Sequence, residues 1–189
     1  MAEYQLTPMP VLGTQSVRIG KNSIQPRPDL ATVSVATPLG GKRTLESALK
    51  ENLSINFPAA TQTTHSGDYR AIRMTSDHIL LVFTRATPDA ESHIQGKLNG
   101  AGYSTDQTDT LAIIEISGPD VLAAMERLCP LDLHPEAFCV GASGRTVMEH
   151  MGATIIKTAD QTYHLITASS SAGSFMHAVE ASFQYTISA

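Results

Sequence analysis

The chain has 189 residues, 42% hydrophobic and 16% charged, and a chain of this length can bury roughly 70% of its unfolded surface in a core without staples. Its net charge of −5 and the lack of any Lys or Arg run exclude the electrostatic footprint that nucleic acid or an anionic membrane surface requires. The longest wholly apolar runs are five residues, as in Ile79 to Phe83, far below the ~20 that cross a bilayer.

From Met1 to about Asp29 the sequence is polar and carries Pro8, Pro10, Pro26 and Pro28 without a sustained period, which predicts an extended arm over residues 1–29. Alternating Val33 and Val35 predict a strand. The turn Pro38-Leu39-Gly40-Gly41 and then Leu45, Ala48, Leu49 and Leu53 at helical spacing follow it. Residues 69–74 and 79–83 flank the polar turn Thr75-Ser76-Asp77. Thr87-Pro88-Asp89 then opens a helix carrying Ala90, Ile94 and Leu98 and ended by Gly100.

The second half repeats the order. A strand at Leu111 to Ile116 leads through Ser117-Gly118-Pro119-Asp120 into a helix with Val121, Leu122, Met125 and Leu128 on one side. Ile155-Ile156, a turn at Ala159-Asp160, Tyr163 to Thr167 and a last helix with Phe175, Met176, Val179 and Phe183 complete it. Pro38 and Pro119 are 81 residues apart, and Thr75-Ser76-Asp77 and Thr158-Ala159-Asp160 are 83 apart. These offsets predict an internal duplication: an α+β fold of two lobes, residues 30–105 and 106–189, each of antiparallel hairpins backed by helices and together one compact unit.

Candidates for chemistry are sparse. Gly141-Ala142-Ser143-Gly144-Arg145 has Arg where a nucleophile elbow needs Gly, which points to a flexible loop. Gly96, Gly100 and Gly102 fall at a helix end, where they cannot cradle phosphate. Cys129, His134 and Cys139 are three potential zinc ligands at a spacing unlike any finger or ribbon, and no bound metal is expected. His78, His150 and His164 fall inside predicted strands, without an assignable acid partner. Asp106 and Asp109 read as turn residues. No catalytic or cofactor-binding residue is assigned.

The segment Cys129-Pro130-Leu131-Asp132-Leu133-His134-Pro135 carries most information. Pro130 stops the preceding helix, Leu131 and Leu133 point one way and Asp132 and His134 the other, and Pro135 keeps the exit extended. Arg145 is a candidate partner for Asp132. The loop either locks its own lobe or presents Asp132 and His134 to a partner.

From about Asp106 to Phe183, through IIEISGPDVLAAMERLCPLDLHPEAFCVGASGRTVMEH and YHLITASSSAGSFMHAVEASF, the chain resembles the gamma subunit of heterotetrameric sarcosine oxidase. That family is distantly related to the aminomethyltransferase (T-protein) folate-binding fold. The resemblance implies a structural, non-catalytic chain in a complex that oxidatively demethylates sarcosine or a related N-methyl amino acid. It implies alpha, beta and delta partner subunits that carry FAD, FMN, NAD, tetrahydrofolate and zinc. A stand-alone folate-binding or one-carbon transfer protein, and a subunit of a paralogous demethylase or dehydrogenase complex, are the alternatives. With two cysteines and a start, MAEYQLTPMP, that has neither a basic region nor an apolar stretch, the expected compartment is the reducing cytoplasm.

Overall fold

Period-2 and period-3.6 patterning resolves into eleven strands and four α-helices in a computed structural model that describes residues 9–85 and 89–188. In chain order they are β1 (Val17–Ile19), β2 (Asn22–Pro26), β3 (Leu30–Ala36), α1 (Lys42–Leu53), β4 (Thr63–Ser66), β5 (Tyr69–Arg73), β6 (His78–Thr84), α2 (Ala90–Leu98), β7 (Tyr103–Asp106), β8 (Leu111–Ser117), α3 (Val121–Glu126), β9 (Ser143–Met148), β10 (Met151–Ala159), β11 (Thr162–Ala168) and α4 (Ala172–Ser188). One antiparallel sheet runs β4-β5-β6-β3-β7 and the other β1-β2-β8-β11-β10-β9.

Helices cover the outer faces. Leu45, Leu49 and Leu53 recur every fourth residue on α1, and with Ala90, Ile94 and Leu98 of α2 they close over Val33, Val35, Leu81 and Phe83. On the other sheet, Phe175, Val179 and Phe183 of α4 pack with Val121 and Met125 of α3 over Ile114, Ile116, Ile155 and Leu165. The Ser182 hydroxyl donates to the Ala124 carbonyl at 2.7 Å and ties these two helices together. The inner faces meet through Ile72, Leu80, Val82, Ile113, Ile156 and Ile166. A strand with both faces buried needs apolar residues on both, which is why Ile79 to Phe83 and Ile113-Ile114 are continuous rather than alternating.

The duplication is visible in the register. Leu30 pairs with Thr84 and Leu111 with Ala168, so the two central hairpins superpose at offsets of 81 (111 − 30) and 84 (168 − 84). Ile72 opposite Leu80 recurs as Ile156 opposite His164 at the same offset of 84 (156 − 72). Beside β3 lies β7, which follows its helix in sequence; the matching place beside β8 is filled by β2, from the start of the chain.

That exchange corrects the extended arm expected over residues 1–29. Residues 17–26 form a hairpin, because Ile24 completes the core under α3 and α4; residues 1–8 lie outside the described residues. Strands β4, β7 and β9 were not anticipated, being short and rich in Thr, Ser and Gly, and β9 replaces the flexible loop expected at 141–145. His150 sits not in a strand but in the β9–β10 turn at φ 66°. At the start of α2, Thr87 and Pro88 lie outside the described residues; Asp89 makes no side-chain cap and pairs with Arg85 instead. The turn left-handed at Asn99, one residue before Gly100, ends that helix.

Candidate functional site

The segment 129–135 closes the end of α3 and packs its apolar residues on its own lobe. The Leu128 and Cys129 amides both donate to the Met125 carbonyl, at 3.0 and 2.8 Å, and Pro130 then has no amide to extend the helix. Cys129, Leu133 and Phe138 are buried in the layer under α3 and α4, and the Phe138 ring lies 6.4 Å from that of Tyr163. Leu131 covers Gly144 of β9 so closely that a Cβ there would sit 2.6 Å from Leu131 Cδ1. This contact, rather than a nucleophile turn, accounts for Gly144 in GASGR.

Asp132, His134 and Pro135 remain exposed, as does Pro130. The Asp132 carboxylate accepts the His134 amide at 2.9 Å, and His134 Nδ1 accepts the Glu136 amide at 3.4 Å, so both side chains stabilise the turn locally. Arg145 does not pair with Asp132. Side chains alternate along a strand: Gly144 faces the helices and Leu131, so Arg145 faces the opposite sheet, across the strand from Asp132. Cys129, His134 and Cys139 do not converge, and no group of three ligands forms among the described residues. Burial pushes the Cys129 thiol above its ordinary value, while Cys139 is exposed.

The SGPD turn also has a structural duty. Gly118 adopts φ 133°, and a Cβ there would strike Asn22. Buried Asn22 accepts the Asp120 amide at 3.0 Å and donates to the Asp120 carboxylate at 2.9 Å, clamping the β2 end to the start of α3.

The polar cluster that sequence reasoning missed lies between the sheets. Arg27 donates twice to Asp29, at 2.9 and 2.7 Å, and once to Glu115 Oε2 at 2.8 Å; His164 Nε2 donates to that same Oε2 at 2.9 Å. Burial pushes the His164 imidazole below its ordinary value, opposed by Glu115 and reinforced by Arg27 and Arg70. The hydrogen bonds from Arg27 hold Asp29 below the usual carboxylate range. An imidazole and carboxylate in contact resemble a general-base pair, but one carboxylate oxygen already serves two donors, and among the described residues no hydroxyl or thiol bonds His164. Glu115 and His164 are 49 positions apart (164 − 115), opposite each other on β8 and β11. The only sequence signal was a charge inside the run Ile113 to Ile116.

Asp106 and Asp109 do not form an acid pair: Asp106 accepts the Thr108 amide at 2.8 Å as a turn residue. Beside them, a cavity of about 470 Å³ includes Leu12, Pro26, Arg27 and Asp109 in its walls. Arg27 is already committed to Asp29 and Glu115.

No family model matches the chain. A stretch of 69 residues is 28% identical to the sarcosine oxidase subunit gamma of Corynebacterium sp. (strain P-1), covering 36% of this chain and 34% of that protein. A stretch of 65 residues is 28% identical to the sarcosine oxidase subunit gamma of Arthrobacter sp, covering 34% and 32%. The chain resembles sarcosine oxidase gamma subunits. These matches span about a third of the relatives' length. The fold extends the likeness: a chain of the heterotetrameric sarcosine oxidase from Corynebacterium sp. U-96, in complex with pyrrole 2-carboxylate, matches with a TM-score of 0.77 over 90% of this chain and 88% of that one, at 18% identity. The glycine cleavage system aminomethyltransferase T from Bartonella henselae matches with a TM-score of 0.64 over 84% of this chain and 45% of that one, at 8% identity. The α+β fold with two antiparallel sheets is thus shared with both, as the resemblance implied.

Proposed function

We propose that this chain is a structural, non-catalytic gamma subunit of a sarcosine-oxidase-like heterotetramer. The observation that carries the reading is the pairing of local identity to gamma subunits with a fold match over nearly the whole length of both chains. The site geometry supports it: the 129–135 loop, the SGPD turn and the Glu115–His164 pair are each engaged in holding this chain together. In this reading alpha, beta and delta chains bring FAD, FMN, NAD, tetrahydrofolate and zinc, and the assembly oxidatively demethylates sarcosine or a related N-methyl amino acid. This reading places the assembly in the cytoplasm; no helix among the described residues is long and apolar enough to cross a membrane. Co-expression with candidate alpha, beta and delta chains tests the proposal. Recovery of a stoichiometric complex with N-methyl amino acid oxidation is expected, and a stable monomer that ignores those chains would overturn it.

The aminomethyltransferase likeness favours a second reading, a one-carbon transfer protein that binds folate on its own. This chain matches less than half of that transferase. Calorimetry with tetrahydrofolate and the isolated chain separates the two, since binding is expected only from the second.

A further inference from the structure

The two sheets are fastened along one side. Gln62 bridges Ala142, the Ser143 amide donates to the Thr61 carbonyl at 2.9 Å, and the Thr63 amide donates to the Gly141 carbonyl at 2.8 Å. β9 is the outermost strand of its sheet, and among the described strands it pairs with β10 alone. Backbone polar groups alternate in direction along a strand. Arg145 and Val147, in phase with Ser143, therefore aim their amides and carbonyls away from β10, where the described residues supply no backbone partner.

Beside this open edge runs a groove between the sheets, formed by two adjoining cavities of about 370 and 530 Å³ that share Met74, Arg145 and Thr154. Ile72, Leu80 and Ile166 form its apolar floor, and Val147 stands on its rim 55% exposed. Among the described residues, the only charged ones lining it are Arg73 and Arg145, in a chain whose acids outnumber its bases 18 to 13. Arg73 is braced by the carbonyls of Thr75 and Pro58 and lies over the Phe57 ring. Arg145 makes no ion pair among the described residues.

We propose that the β9 edge and this groove dock an extended segment of a partner subunit, which adds as a strand to β9, sets a carboxylate on Arg145 and lays an apolar side chain over Val147 and Met74. Strand addition uses the open backbone groups for affinity and alternate side chains for specificity, and a desolvated Arg–carboxylate contact fixes the register. A small carboxylate would leave the open backbone edge unused. A second copy would have to overcome the repulsion between two chains of net charge −5. The proposal rests on the subunit reading above.

The test uses the full chain co-expressed with candidate alpha, beta and delta chains. A photo-crosslinking amino acid replaces Val147, or Arg18 as an exposed control on β1. A crosslink from position 147 to an acidic, apolar segment of a partner, absent from position 18, is expected. Arg145→Glu should lower recovered partner at least about tenfold while leaving the melting temperature unchanged, because Arg145 is exposed. If the complex forms with neither the crosslink nor the loss on Arg145→Glu, the docking site is wrong; a crosslink to a second copy of this chain also overturns it. If the unaltered chain recovers no partner, the subunit reading itself fails, and the docking site with it.

Discussion

The layers under the helices and the layer between the sheets are built differently. Under α3 and α4, and under α1 and α2, large apolar side chains such as Phe83, Phe175 and Phe183 are fully buried. Between the sheets, six buried aliphatic residues share the space with Arg27, Glu115, His164 and buried Thr32 and Thr154. Apolar contact scales with buried area and needs no direction, whereas a charged cluster stabilises only in one geometry and one protonation state. The outer layers therefore carry stability. The inner layer sets how the two halves sit against each other and responds to pH.

Substitutions can break that contrast. Phe175→Ala should have the largest effect, about 4 kcal/mol of lost stability from a cavity in the outer layer, measured by denaturant unfolding. Gly144→Val should cost about 2 kcal/mol by overpacking against Leu131, and adding Leu131→Ala should recover part of it; purely additive losses would show that the contact is not responsible.

Glu115→Ala should cost about 1.5 kcal/mol at neutral pH, because Arg27 and His164 both lose their shared acceptor. The same cluster sets a pH slope. The folded-state value of His164 lies below its unfolded value, so the unfolded chain binds more protons through this group and stability falls as pH drops below the ordinary histidine value. Thermal melts of His164→Gln should show a flatter slope between about pH 7 and 5, and an unchanged slope would remove His164 as its source. Asp132→Ala should have the smallest effect, about 0.5 kcal/mol for one exposed hydrogen bond, with no change in complex recovery if the loop serves only its own lobe.

Much of this contrast was legible in the residues. Leu45, Leu49 and Leu53, and Phe175, Val179 and Phe183, recur at helical spacing because a helix must bury one face, and the structure buries those residues. Within CPLDLHP, alternation along the chain puts Leu133 inside and Asp132 outside. The strands β4, β7 and β9 were not legible, since a short edge strand owes its conformation to the neighbour it pairs with rather than to its own pattern.

The sequence by itself therefore determined the helices, the central strands of each half and their repetition, because these follow from periodicity within one segment. Only the tertiary structure decided that β2 leaves the N-terminal stretch to stand where β7 stands in the other half. Only it decided that Arg27, Glu115 and His164 share one carboxylate oxygen, and that Arg145 faces the groove and not Asp132. Those outcomes depend on register between segments tens of residues apart, where a shift of one residue turns every side chain to the other face.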